Sequence, residues 1–61
     1  MGTNEMLNRS ITYEEGTLRN YKQYAVQADA TDVGELFKQL VDEKTDQLNR
    51  LKSMLKRYCK P

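Results

Sequence analysis

In the first half of the chain, seven residues recur at alternating spacings of four and three, which places their side chains along one stripe of an α-helix. They are Leu7, Ile11, Glu14, Leu18, Tyr21, Ala25 and Ala28. Six of them can pack in a core. The Glu14 carboxylate cannot be buried there unless it has a partner, and otherwise it must reach solvent. The one proline is the last residue and there are only three glycines, so little interrupts the pattern. It predicts a long amphipathic helix.

The second half of the chain predicts another helix after a short break. Asp32 followed three residues later by Glu35 forms a capping-box pattern, which is typical of a helix start. Thr31 is the competing N-cap. A break of a few residues is typical of antiparallel neighbours. We therefore expect an all-α fold, an antiparallel helical hairpin.

We expect a single helical-hairpin domain over residues 1–61. Helix 1 should cover about residues 5–28, the turn residues 29–31 and helix 2 about residues 32–58. The start of helix 1 stays open, because four residues could cap it: Thr3, Asn4, Ser10 and Thr12. A capping box that begins at Thr12 would shorten the helix.

Helix 2 carries more apolar residues than contact with one neighbour requires. Its stripe is wider than the two-in-seven seam of a simple coiled coil, so it can face more than one helix. The stripe consists of Val33, Leu36, Phe37, Leu40, Val41, Leu48, Leu51, Met54, Leu55 and Tyr58. A chain of 61 residues is also marginally stable without a disulfide, a metal or a partner. We expect a homodimer in which two hairpins complete a four-helix bundle.

Glu14 is the one acidic residue on the stripe of helix 1. If the chain turns near residues 30 and 31, residues at the same height have numbers that add to about 61, because both helices rise equally. Lys44 and Gln47 then lie opposite Glu14, where helix 2 should also be apolar. We expect these three residues to form a buried or half-buried polar layer. In the alternative, they lie at the margin of the stripe and reach solvent.

Composition excludes several classes of function. Ten Lys and Arg balance nine Asp and Glu, so the net charge of +1 gives no strong field for nucleic-acid binding. No histidine is present for acid–base chemistry or metal binding, and a single cysteine allows no internal disulfide. No apolar run reaches the length of a membrane span, and no secretory signal is recognisable. We expect a cytoplasmic protein that is not an enzyme, with no catalytic residues, no cofactor or metal, and neither nucleic acid nor membrane as a partner.

Three further features have weaker functional interpretations. Cys59 is either an exposed thiol or a site of interchain disulfide formation. The acidic residues Asp42, Glu43 and Asp46 are expected to form a solvated helix face rather than a cation site. The basic end of helix 2 is either a solvated terminus or a patch for an acidic partner, and it comprises Arg50, Lys52, Lys56, Arg57 and Lys60.

The segment from Glu14 to Ala28 resembles the first metal-binding helix of rubrerythrin-like members of the ferritin-like superfamily. In that family, a ligand Glu is followed seven residues later by an aromatic residue and then by an aromatic-Ala-x-x-Ala pattern. These places are held here by Glu14, Tyr21, Tyr24, Ala25 and Ala28. The segment from Val33 to Leu40 is similar to the start of the family's second helix, and the resemblance covers roughly residues 11–55.

The resemblance implies a ferritin-like four-helix bundle from which the metal ligands are missing. In the family, the second helix supplies a Glu-x-x-His pair, and two hairpins together hold two irons. Lys44 and Gln47 stand at those positions here, so only Glu14 remains of the ligand set. Our hypothesis is that the Lys44 ammonium takes the electrostatic role of the metal.

We therefore expect a small structural or interaction module without a metal site. The alternative is a residual metal-binding or oxidative-stress protein of rubrerythrin type that uses Glu14 with carboxylates from a partner chain. A third possibility is that the apolar face of the hairpin receives an amphipathic helix of another protein.

Overall fold

The computed structural model describes residues 1–58, which form two α-helices packed against each other. Helix α1 covers Thr3–Gln27 and helix α2 covers Thr31–Tyr58. The molecule is an elongated rod with principal extents of 47 × 17 × 14 Å. The all-α fold and the helical hairpin predicted from the sequence are confirmed.

Helix α1 begins close to the start of the chain and continues without interruption. Gly2 precedes the first turn and accepts a hydrogen bond from the Met6 amide at 3.0 Å through its carbonyl oxygen. Ser10 and Thr12, which could have capped a shorter helix, lie inside α1. The helix ends where the Ala28 amide donates to the Tyr24 carbonyl at 2.9 Å.

Helix α2 begins at Thr31, one residue before the expected start. The Ala30 carbonyl accepts the first helical hydrogen bond, from the Gly34 amide at 3.0 Å. The Asp32 carboxylate accepts from the Val33 amide at 2.9 Å, which satisfies one of the free donors of the first turn. Glu35 lies 3.4 Å from the Lys38 ammonium instead of reaching back to the helix start as a capping box requires.

The two helices meet along a seam of two seven-residue rows with alternating spacings of three and four. The rows are Leu7, Ile11, Glu14, Leu18, Tyr21, Ala25 and Ala28 in α1, and Gly34, Phe37, Val41, Lys44, Leu48, Leu51 and Leu55 in α2. Every residue of both rows is buried or half-buried. This is the packing of a two-stranded antiparallel coiled coil, in which the repeat of seven keeps one stripe of each helix against the other.

The helices approach each other closely near the turn, at Gly34. A Cβ atom added there would lie 3.4 Å from the Ala25 carbonyl oxygen and 3.8 Å from the Ala28 Cβ. One turn further along α2, the Phe37 ring packs between two tyrosine rings, with centroids 5.6 Å from Tyr21 and 5.3 Å from Tyr24. The rule that level residues have numbers adding to about 61 places Phe37 near Ala25, and both tyrosines lie within about one turn of Ala25.

The core of the hairpin is small. Among residues 1–58, the buried apolar side chains are those of Ile11 and Leu48. The other apolar seam residues keep part of their surface in solvent, because a pair of helices can cover only one stripe on each partner. Neither described helix has the length and apolarity that crossing a bilayer requires.

Candidate functional site

The most distinctive chemical feature of the seam is an ion pair between its two helices. Glu14 and Lys44 occupy facing seam positions, each with apolar seam residues one turn away along its own helix. The Lys44 Nζ lies 2.7 Å from the Glu14 Oε2. The Lys44 side chain is 24% exposed and the Glu14 side chain 19% exposed, so the pair is half-buried between the helices.

The ammonium of Lys44 is held close to the carboxylate, and this contact changes its acidity. The short contact with Glu14 raises the pKa of Lys44 above the ordinary lysine value of 10.5, against an opposing effect of burial. The Glu14 Oε2 is itself buried and accepts no well-aligned hydrogen bond from the described residues. Because charge attraction depends weakly on angle, the 2.7 Å separation makes this a close ion pair all the same.

Gln47 joins the pair from the solvent side. Its Oε1 accepts a hydrogen bond from the Lys44 Nζ at 3.1 Å. Position 47 precedes the seam residue Leu48, so the Gln47 side chain lies at the edge of the helix interface and is exposed. Of the expected buried or half-buried layer, Glu14 and Lys44 are half-buried, whereas Gln47 is exposed at the margin of the interface, as in the alternative.

A second interhelical ion pair was not anticipated from the sequence. The Lys52 Nζ lies 3.5 Å from the Glu15 Oε2, and both side chains are roughly half exposed. Both residues follow a seam residue directly, Glu14 and Leu51, so their side chains border the same edge of the seam. The sequence could therefore have predicted this ion pair, because oppositely charged residues at flanking positions of an antiparallel helix pair approach each other.

Among the described residues, the polar layer combines one carboxylate with one ammonium and one amide. Lys44 is a cation and offers no free electron pair while it is charged, and the Gln47 oxygen already accepts from it. Within residues 1–58, no three His, Cys, Asp or Glu side chains gather where they could hold a metal ion. An iron or manganese at the Glu14 Oε2 would compete with the ammonium that lies 2.7 Å from that oxygen.

The layer opens on one side of the hairpin. Glu14 and Gln47 line a surface groove whose other walls are Leu7, Ser10, Arg50, Leu51 and Met54. Nearer the turn, a second groove on this side is lined by Tyr24, Gln27, Ala28, Val33 and Phe37. The polar layer is therefore reached from this side of the molecule.

This side of the hairpin is the open face, formed by the residues that directly precede seam residues. They are Met6, Ser10, Tyr13, Thr17, Asn20, Tyr24 and Gln27 in α1, and Val33, Leu36, Leu40, Glu43, Gln47, Arg50 and Met54 in α2. Six of the nine large apolar side chains that are exposed in the described residues belong to it: Met6, Tyr13, Tyr24, Val33, Leu36 and Met54. Exposed apolar surface is thus concentrated on one side.

The remaining candidates are dispersed. The Asp42, Glu43 and Asp46 side chains are all exposed on α2, as expected for a solvated helix face. The Cys59 thiol and the Lys60 end of the basic cluster lie outside the described residues.

No family model, curated protein or solved structure matches this chain. The resemblance to rubrerythrin-like proteins therefore stays a prediction from the sequence.

Proposed function

We propose that this protein is a non-enzymatic structural or interaction module. In this proposal, the hairpin pairs with a second copy through the open face, and the two hairpins form a four-helix bundle of ferritin-like architecture without a metal site. The observation that carries the proposal is the one-sided placement of exposed apolar side chains beside a half-buried polar layer.

The surface that a second copy would cover includes large apolar side chains that the hairpin alone leaves exposed. Leu36 is 51% exposed and Met54 39% exposed, although both belong to the apolar stripe of α2. Removing such surface from water contributes about 25 cal/mol per Å². A closed two-fold dimer gives each hairpin the same cover and leaves no apolar face unpaired. Dimerisation therefore supplies the burial that a hairpin of 61 residues lacks.

The ion pair of Glu14 and Lys44 fits this bundle as a structural element. In a ferritin-like bundle, the carboxylate at this place would face the centre and share its charge with metal ions. Here the Lys44 ammonium, 2.7 Å from the Glu14 carboxylate, supplies the positive charge from the same chain. The proposed layer needs no ion from solution.

Sedimentation equilibrium at micromolar concentration tests this proposal. We expect a mass of twice 7.1 kDa, and a melting temperature that rises with protein concentration because folding and association are coupled. A mass of 7.1 kDa across the micromolar range contradicts it.

One observation favours a second function, that of a residual metal-binding protein. The Glu14 Oε2 is a buried anionic oxygen without a well-aligned hydrogen bond, and a partner chain could bring further carboxylates to it. Elemental analysis of protein purified without chelator separates the two functions. Stoichiometric iron, manganese or zinc that is lost in Glu14→Gln supports the metal-binding function, whereas metal content at background supports the module.

A further inference from the structure

The open face of α2 has a charge pattern that is complementary to itself. From Leu40 to Met54, its residues read apolar, acidic, neutral, basic and apolar: Leu40, Glu43, Gln47, Arg50 and Met54. Gln47 is at the centre of this series, and the charges on its two sides are opposite. Glu43, Gln47 and Arg50 are all exposed in the hairpin.

Glu43 and Arg50 have no charged partner among the residues that the structure describes. Glu43 and Arg50 are seven positions apart on one helix, so their Cα atoms are separated by about 10.5 Å along the axis. Within residues 1–58, neither side chain forms an ion pair. Both charges are therefore available to a partner on the open face.

The pattern distinguishes between the two directions in which α2 can meet a second α2. In an antiparallel pair with Gln47 opposite Gln47, residues at the same height have numbers that add to about 94. Leu40 then faces Met54, and Glu43 faces Arg50. In a parallel pair, Glu43 faces Glu43 and Arg50 faces Arg50, so like charges repel at both places.

We propose that the occupant of the open face is a second copy of this chain, docked with its α2 antiparallel to the first α2. Gln47 lies next to the two-fold axis, and Glu43 of each copy pairs with the partner's Arg50. This inference rests on the dimer proposed above and assigns its contact surface, direction and register. The axis falls near Glu14, because Glu14 and Gln47 line the same groove of the hairpin.

This arrangement brings the polar layers of the two copies together. The groove beside Glu14 is lined by Gln47, Arg50 and Met54, all of which belong to the proposed contact. The partner's α2 fills this groove and covers the ion pair of Glu14 and Lys44. The centre of the bundle is then polar, while its two ends are apolar through Leu36 and its neighbours.

Charge reversal with mixing tests the inference. The variants are Glu43→Arg, Arg50→Glu and the double variant E43R/R50E. Each single variant creates two like-charge contacts per dimer, so we expect its dimer dissociation constant to rise about tenfold or more. The double variant restores both pairs with exchanged signs and should associate within about threefold of the wild type.

The sharpest result comes from mixing the two single variants. At positions 43 and 50, E43R carries two arginines and R50E carries two glutamates. The mixed dimer therefore has two ion pairs of opposite charge, whereas each self-dimer has none. We expect mixed dimers to predominate in native mass spectrometry, and the preference to fall in 1 M salt because charge interactions are screened.

Matched controls use neighbouring residues on the opposite side of α2. Asp42→Arg and Lys56→Glu make comparable charge changes one residue after a seam position, and Asp42 borders a groove on the far side of the hairpin. Neither control should change the dissociation constant by more than about twofold, and the two controls should not prefer each other on mixing.

The outcomes separate this inference from the dimer itself. If the wild type is a monomer, or binds only a different protein, both proposals are overturned. If the wild type is a dimer but the single variants associate normally and mix at random, the hairpins meet through another surface or register. In that case this inference is overturned and the dimer stands.

Discussion

At the scale of single residues, Glu14 and Lys44 fix which parts of the two helices face each other. The other seam positions are mostly apolar, and a slip of the helices by one repeat of seven would still match many of them. Such a slip would place Glu14 against Leu51 or Phe37 and leave its carboxylate half-buried without a cation. The 2.7 Å ion pair therefore selects one register, as buried polar residues do in some coiled coils.

Lys44→Met should lower the melting temperature more than any other lysine substitution in the hairpin. The change leaves the buried Oε2 of Glu14 without its cation, and leaving a half-buried charge unpaired is far more costly than losing an exposed pair. Lys52→Met is the matched control, because Lys52 also pairs across the helices, with Glu15, but in a half-exposed place. Thermal unfolding followed by circular dichroism measures both variants.

The double variant E14Q/K44M completes this test. Because it removes the stranded charge together with its partner, it should recover much of the stability that K44M loses. Equal melting temperatures for K44M and K52M would show that Glu14 and Lys44 do not depend on each other in the interior.

The ion pair should also make stability fall in alkaline solution. The folded protein holds the Lys44 proton more tightly than the unfolded chain does, because the contact with Glu14 raises its pKa above 10.5. This contribution is fully present below pH 10.5 and is lost as the pH rises through the higher folded pKa. Urea unfolding across this window measures the free energy of unfolding of the wild type and of K44M.

Since wild type and K44M share every other ionisable group, the difference between them isolates Lys44. We expect the difference to be constant near neutral pH and to shrink above pH 10.5. A difference that stays constant well above that pH would contradict the assignment of the raised pKa to the ion pair.

At the scale of the elements, the sequence predicted α1 more completely than α2. The stripe predicted for α1 is the row that packs in the seam. Its alternating spacings of three and four allowed only one choice of helix face. The wide stripe of α2 combines seam residues with residues of the open face, and apolarity alone cannot separate these. The spacing could have done so, since Gly34 and Lys44 complete the seven-residue row although neither is a large apolar residue.

The sequence indicated which residues form the candidate site, but not which of the three would be exposed. Counting from the turn placed Lys44 and Gln47 opposite Glu14, and the structure brings the Lys44 ammonium to the carboxylate. Whether a side chain points into the seam or along its edge depends on its position in the row, which distinguishes Lys44 from the exposed Gln47. Helix ends were the other uncertain feature, because several residues had the chemistry of a cap.

The two helical glycines should respond differently to substitution by alanine. Alanine favours a helix over glycine by about 0.5–1 kcal/mol. A Cβ at position 16 meets only the flexible end of Arg19 at 3.9 Å, so Gly16→Ala should gain most of that amount. A Cβ at position 34 lies 3.4 Å from the Ala25 carbonyl oxygen, so Gly34→Ala should gain less.

Urea unfolding of both variants measures the difference, and Gly34→Leu serves as the limiting case. The leucine side chain cannot fit between the helices near the turn, so this variant should be destabilised by about 1–3 kcal/mol. If G34A were stabilised as much as G16A, the close approach of the helices at this position would not constrain the fold.

At the scale of the whole molecule, the isolated hairpin buries few apolar side chains and leaves larger ones exposed on its open face. Its seam buries only Ile11 and Leu48 among apolar side chains of the described residues, while Leu36 on the open face is 51% exposed. If the open face is the dimer contact, residues that look like surface in the hairpin should behave as core in solution. A pair of matched substitutions on opposite sides of the hairpin makes this measurable.

Leu36→Gln should weaken association, whereas Val26→Gln should not. Val26 is 87% exposed and borders the groove on the side away from the open face, so replacing it removes no contact in the proposed dimer. Losing the burial of one Leu36 side chain reduces the free energy of association by about 1–2 kcal/mol. Because the dimer contains two copies of Leu36, L36Q should raise the dissociation constant by at least about tenfold. Sedimentation equilibrium over a range of concentrations measures this constant.

The melting temperature gives an independent reading, because a dimer that folds on association melts higher at higher concentration. At a fixed micromolar concentration, L36Q should melt well below the wild type, and raising the concentration should recover part of the loss. V26Q should keep the wild-type concentration dependence. Equal effects of the two variants would mean that both sides of the hairpin are surface in solution, and the open face would then have no second copy on it.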